Sequence, residues 1–246
     1  MPKIFKVGGC VRDGLLGVKT KDIDFTFVLD DLNKTVEEGF KEMEQWMIDQ
    51  GFTIFLSVPE MFTIRAKFPS DHKFAKLDAD FVMARKEVGY VEGTRRPILE
   101  LGTLEDDLVR RDFTVNAMAE DEDGNLIDLF DGMWALENKM LLTPLDPAQT
   151  FLDDPLRMLR ALRFSITKGF IIAPKVWAAM FIPTLIDKLE EVVSGERIRE
   201  EVIKMMKADT VKTLRLFNEI DKIEPRFMEV VFGKDMWLKP TFESTQ

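Results

Sequence analysis

Histidine is nearly absent: His72 is the only one among 246 residues. A metal site built from several imidazoles is therefore excluded, and so is a mechanism that needs two of them. Cysteine is as scarce. Cys10 stands alone, so no internal disulfide can form, and a reducing, cytoplasmic location is the default expectation. A Cys10–His72 nucleophile and base pair is set aside, because Cys10 lies inside a glycine turn with a better reading below. No apolar run reaches the roughly 18 residues that span a bilayer. Met1-Pro2-Lys3 leads straight into a strand-like segment rather than a signal-peptide core, so no membrane partner is expected. Net positive charge is missing too. A formal charge of −10 argues against wrapping nucleic acid over a broad surface. It does not exclude a local basic groove, since the arginines cluster at Arg95-Arg96, at Arg110-Arg111 and at Arg157, Arg160 and Arg163.

What is present has the balance of a globular protein, with 46% hydrophobic and 32% charged residues. The length allows one large domain or two modest ones. Strand-like segments occur at residues 3–7, 23–29, 52–58, 61–68 and 76–84. A helix opens near Val11 and is ended by Gly17. Another starts at a Thr35/Glu38 capping box and stops before Gly51, with Phe40, Met43, Trp46 and Met47 at helical spacing. The strands predict a mixed sheet of four or five. From about residue 150 the alternation ends. Leu156, Leu159, Leu162 and Ile166 mark a helix face, Pro174 can begin another helix, and two or three more follow to about Phe232. The expectation is an α/β head over residues 1–140 and an all-α part over 141–246, with a polar tail from Lys239.

The head carries the chemistry. Gly8-Gly9 follows a strand and precedes a helix, so the backbone can approach an anion closely, and Arg12 adds a guanidinium suited to phosphate oxygens. By itself such a turn is weak evidence. Asp22 and Asp24 lie two apart on a strand and therefore share a face. Paired carboxylates repel unless a cation sits between them, and hard oxygen ligands suit Mg²⁺. Apolar Phe25 and Phe27 argue that this strand is half buried rather than a solvated acidic turn. Asp80 can join the pair as a third carboxylate, with Asp78 its rival at the same parity. Farther on, Asp154 and Arg157 stand at i and i+3 of an expected helix over 154–163, so they share a face and offer acceptors and donors together. Arg160 and Arg163 continue along that side. Read alone, this helix could equally be a surface helix with salt bridges.

In order along the chain, these segments resemble the motifs of the class II tRNA nucleotidyltransferase (CCA-adding enzyme) and bacterial poly(A) polymerase family. Gly8-Gly9-x-Val11-Arg12-Asp13 with Asp22-x-Asp24 resembles the signature motif. Tyr90 to Pro97 resembles the flexible loop, Glu105 to Ala119 the second motif, Asp154 to Phe164 the base-selecting helix, and Ser194 to Glu201 the neck motif. The resemblance covers roughly residues 3–235. It implies a polymerase-beta-like α/β nucleotidyltransferase head with a mixed sheet, followed by an all-α helical neck. It implies metal ligation by Asp22 and Asp24; the third catalytic carboxylate is Asp80 on strand parity, with Asp78 its rival. Nucleotide binding falls to Gly9, Arg12, Arg111 and Asp112, and to Asp154, Arg157, Arg160 and Arg163. Standing alone, Arg110-Arg111-Asp112 would read as a helix-surface ion pair. The implied activity is template-independent addition of C and A to the 3′ end of RNA, tRNA above all, from CTP and ATP with Mg²⁺.

Two departures bear on this expectation. Asp153-Asp154 stands where the family usually has Glu-Asp, which touches base choice. The chain also ends soon after the neck, where relatives carry body and tail domains. That suits a minimal enzyme, a smaller RNA, or work with a partner. A His-Asp phosphohydrolase activity is not expected with His72 alone. Alternatives are poly(A) or single-nucleotide addition, transfer to a small molecule or protein, and an inactive binding module. Met205, Met206, Leu214, Leu216 and Phe217 are expected to fill the neck's own core, with a homo-oligomer or protein partner as the other reading.

Overall fold

The computed structural model describes residues 2–20, 22–90 and 97–233. These fall into two compact units that divide between Leu145 and Asp146, a few residues past the expected 140/141 boundary.

The first unit opens with β1 (Lys3–Val7), α1 (Gly9–Leu15) and β2 (Asp22–Val28), then α2 (Val36–Asp49), β3 (Thr53–Val58), β4 (Thr63–Lys67) and β5 (Asp78–Met83). β6 (Arg85–Tyr90) and β7 (Pro97–Leu101) pair as an antiparallel ribbon. The expected flexible loop falls on residues 91–96, outside the described residues. α3 (Leu104–Val109), β8 (Met118–Glu120), β9 (Leu126–Asp128) and α4 (Gly132–Glu137) follow, with a two-residue strand at Met140–Leu141 near the unit's end. The main sheet has seven strands in the order β3-β4-β5-β2-β1-β8-β9. β2 and β5 run parallel and the other neighbours antiparallel, so the sheet is mixed. The expected four or five strands fall short because β8 and β9 have three residues each, too few to show a period of two.

One face of the sheet carries Ile23, Phe27, Ile64, Ala66, Ala79, Phe81 and Met83 against Phe40, Met43 and Met47 of α2. α2 starts where the capping box predicts: Thr35 Oγ1 accepts from the Glu38 N–H at 3.2 Å, and the Glu38 carboxylate accepts from the Thr35 N–H at 2.8 Å. It stops before Gly51, whose φ of 79° favours glycine. On the opposite face Phe5, Val7, Ala117 and Ala119 pack with Leu108 of α3. This alternation leaves the polar residues of β2 and β5 on the α3 side.

The second unit contains α5 (Pro147–Asp153), α6 (Leu156–Thr167), α7 (Pro174–Ala179), α8 (Pro183–Val192), α9 (Gly195–Ala208), α10 (Thr210–Ile223) and α11 (Pro225–Val231). Proline opens four of them (Pro147, Pro174, Pro183 and Pro225), at the first turn where its missing N–H costs nothing. Leu156, Leu159, Leu162 and Ile166 are buried, and α6 packs on α9 through Ile198, Val202 and Met205. Met205 and Phe217 lie in the core, whereas Leu214 is exposed. No helix among the described residues is long and apolar enough to cross a membrane.

The expected helix over 154–163 needs correction. α6 begins at Leu156, and Asp154 precedes it with extended backbone, φ −144° and ψ 98°. The cause is Pro155, whose ring disfavours helical backbone in the residue before it. Asp154 and Arg157 are therefore not one turn apart on a helix face. The Asp154 carboxylate instead accepts from the Leu156 N–H at 3.1 Å, and Arg157 Nη1 donates to the Thr150 carbonyl at 3.3 Å.

Candidate active site

The parallel pairing of β2 and β5 sets Asp22 opposite Asp78 and Asp24 opposite Asp80. β4 then sets Lys67 opposite Asp78 and Arg65 opposite Asp80. Cross-strand partners share a face, so three strands present two rows of charge: Lys67-Asp78-Asp22 and Arg65-Asp80-Asp24. Arg65 Nε donates to Asp80 at 2.7 Å, and Lys67 pairs with Asp78. Burial pushes the Asp24 carboxyl up to about 6; Arg111 opposes that shift, and the charges of Asp22 and Asp80 add to it. Crowded carboxylates whose own repulsion helps raise one of them are a donor set suited to a hard divalent cation. Among the described residues no three acidic, histidine or cysteine side chains stand ready as a complete cation cage. Asp80 reaches Asp24's row already engaged by Arg65.

The turn between β1 and α1 closes one end of this row. Gly8 has φ 73°, and a side chain there would begin 2.8 Å from Arg111 Nη1 and 3.6 Å from Asp24 Oδ2. Glycine at this position is thus required by both backbone and space. Gly9, expected at the triphosphate, lies next to Gly8, and a side chain on it would meet Arg12 Nη2 at 3.4 Å. Cys10 donates to the Val7 carbonyl at 3.1 Å, and burial raises its thiol pKa. His72 stacks on Phe68 with ring centroids 4.7 Å apart, and its Nδ1 accepts from the Phe74 N–H. Each of the two is accounted for by local partners.

Arg12 is nearly buried. Its Nε donates to Asp13 at 2.9 Å and its Nη1 to Asn116. Asn116 Nδ2 in turn donates to Asp112 at 2.8 Å, and Asp112 also accepts from the Phe113 N–H. Arg12, Asn116 and Asp112 are thus one buried polar chain, and Arg111 is the guanidinium that reaches Asp24 and Gly8.

Asp107 was not singled out from the sequence. It is fully buried. Its Oδ2 accepts from Thr26 Oγ1 and from Arg111 Nη2, each at 2.9 Å, while Oδ1 accepts from Arg110. Burial alone would raise its pKa, but the two guanidiniums outweigh that and hold the carboxyl well below the ordinary range. The surface ion pair that Arg110-Arg111-Asp112 suggests by itself is replaced by a buried one around Asp107. In the sequence Asp107 is one of three consecutive acids, Glu105-Asp106-Asp107, and stands three and four residues before Arg110 and Arg111.

In the helical unit, Arg163 Nε donates to Glu201, a carboxylate 4% exposed on α9, and its guanidinium lies over Phe164. Arg160 lies over the same ring, 5.9 Å from its centroid. Arg163 thereby ties α6 to α9. Glu201 was present in the neck motif with no role attached.

With the geometry given, the relatives can be set beside it. The poly A polymerase head domain family matches residues 4–142. A tRNA nucleotidyltransferase of Schizosaccharomyces pombe is 32% identical over 97% of this chain and 51% of its own length. A crystal structure of a tRNA nucleotidyltransferase with a primer tRNA and an incoming ATP analog is 28% identical, with TM-score 0.70, over 96% of this chain and 61% of its own. The Bacillus stearothermophilus CCA-adding enzyme in complex with CTP is also 28% identical, with TM-score 0.69, over 89% of this chain and 48% of its own. The chain spans from 35% to 51% of the length of the first curated relatives it matches. The family match takes in β1 through β9 and every residue of the charged rows, the glycine turn and the Asp107 cluster, so the chain belongs to the poly A polymerase head domain family of nucleotidyltransferases.

Proposed function

We propose that this chain extends the 3′ end of an RNA, tRNA above all, by adding C and A from CTP and ATP. One observation carries the reading: Asp24, Gly8 and Arg111 converge at the end of a row of carboxylates. A nucleoside triphosphate needs such an arrangement, with cation ligands on one side and a guanidinium and open backbone on the other. Relatives solved with CTP and with primer tRNA and an ATP analog support the same substrates here.

Asp22 and Asp24 would hold Mg²⁺, with Asp80 as third carboxylate once Arg65 releases it. When bound, the ion lowers the charge between triphosphate and carboxylates and favours ionisation of the attacking hydroxyl. Arg111 binds phosphate oxygens, and Gly8-Gly9 lets the backbone come close to them. The primer 3′ oxygen forms a bond to the α-phosphorus, the bond from that phosphorus to the pyrophosphate oxygen breaks, pyrophosphate departs, and the hydroxyl proton passes to solvent water. No side-chain nucleophile is needed, since positioning and charge carry the step. Asp112 and Arg12 support the site through Asn116. Asp154 and Arg157 are assigned to base selection, with Arg160 and Arg163 beside them. The single cysteine fits a reducing, cytoplasmic setting.

The test is incorporation of each labelled triphosphate, singly and in pairs, onto tRNA ending before CCA, in C, and in CC. Extension that stops after C, C and A supports the reading. A long A tract assigns poly(A) addition, and a single nucleotide assigns partial addition. No incorporation on any tRNA overturns it.

A further inference from the structure

We infer that Asp107, together with Thr26, is the positioning device that aims Arg111 at the triphosphate. The inference rests on the function proposed above and adds a residue to it.

Asp107 is a fully buried carboxylate with two arginines on it. One carboxylate is shared between two guanidiniums. Arg110 takes Oδ1 and Arg111 takes Oδ2. The two arginines are thereby separated, and Arg111 is held by one end only, through Nη2. Its Nη1 lies where a Gly8 side chain would begin, and its charge acts on Asp24. The Arg111 guanidinium therefore points along the carboxylate row.

The second part is Thr26. It lies two residues beyond Asp24 on the same face of β2, and it is fully buried. Its hydroxyl donates to the same Oδ2 that holds Arg111, at 2.9 Å. That bond fixes the carboxylate to the strand that bears Asp22 and Asp24. Arg111 is thus registered to the acidic pair through the sheet, although it comes from the far end of α3. A buried carboxylate is costly to hold. A stability role alone needs neither the second arginine nor a strand hydroxyl on the oxygen that faces the site.

The experiment measures the dissociation constants of CTP and ATP without primer for the wild-type protein and three variants, with melting temperature beside them. Asp107→Asn leaves Arg111 without its anchor and should weaken triphosphate binding on the order of tenfold or more. Thr26→Val keeps the shape and removes the hydroxyl; it should weaken binding by about fivefold, the effect of one hydrogen bond. Thr26→Ser keeps the hydroxyl and should bind like the wild type. A packing role predicts the reverse order, with Thr26→Val normal and Thr26→Ser impaired. If Asp107→Asn does not fold, the two Thr26 variants decide. Wild-type affinity in Thr26→Val overturns the inference and leaves the proposed function standing. A wild-type protein that binds neither triphosphate overturns both.

Discussion

Gly8 is the residue at which backbone conformation and charge meet. Its φ of 73° and the 2.8 Å from a would-be side chain to Arg111 Nη1 make any substitution strained twice over. Gly8→Ala should cost about 1–3 kcal/mol of stability and should also displace Arg111, so triphosphate affinity falls with it. Gly9→Ala meets only the end of Arg12, at 3.4 Å, and should be milder on both counts. Paired measurements of melting temperature and CTP affinity separate the two; a more damaging Gly9→Ala would place the close approach in the wrong residue. Asp24→Ala and Asp22→Ala should each abolish incorporation while circular dichroism stays unchanged. Substantial residual turnover in either would refute a mechanism built on both carboxylates. The sequence made Asp22 and Asp24 legible because their spacing of two, between Ile23 and Phe25, states both the strand and the shared face. It did not reveal Asp107 or Arg65. Their roles depend on which residue lies opposite, and register across strands separated in sequence leaves no local mark.

At the scale of elements, α2 could be read to within a residue or two, because its start is chemical: Thr35 and Glu38 cap each other's backbone. α6 was misread at its start because helical spacing outweighed Pro155. Asp154 caps the Leu156 N–H and Arg157 reaches the Thr150 carbonyl, so each side chain has a partner at the α5–α6 corner. If Arg157 reads the base, Arg157→Ala should narrow the CTP/ATP preference more than it slows turnover; unchanged discrimination moves the selector elsewhere. The tie between α6 and α9 is separate. Glu201 is buried beside half-buried Arg163 and is also reached by Lys204 at 3.1 Å. Glu201→Ala removes the carboxylate from a half-buried guanidinium and should cost about 1–3 kcal/mol. Protection of amides by hydrogen exchange should fall in α6 and α9. Protection that stays level there would mean the pair contributes little to this unit.

For the whole molecule, two carboxylates pull stability in opposite directions as pH changes. Asp107 is depressed in the folded protein, so its contribution is present above the ordinary carboxylate range and is lost as pH falls below it. Asp24 is raised to about 6 from 3.8, so the folded protein holds a proton that the unfolded chain has released between those values. Its contribution therefore grows as pH falls from 7 toward 4 and disappears above 6. Without divalent ions, the melting temperature should drift upward from pH 7 to pH 5 relative to Asp24→Asn, then collapse in acid as Asp107 and other paired carboxylates protonate. Mg²⁺ binds the ionised form of Asp24, so saturating Mg²⁺ should cancel the drift in the wild type and leave Asp24→Asn unmoved. A wild-type curve parallel to that of Asp24→Asn, with or without the ion, would mean that Asp24 is not the crowded, desolvated carboxylate that a cation relieves. The net charge of −10 gives no hint of this behaviour, because it sums over the molecule what the sheet concentrates in two rows.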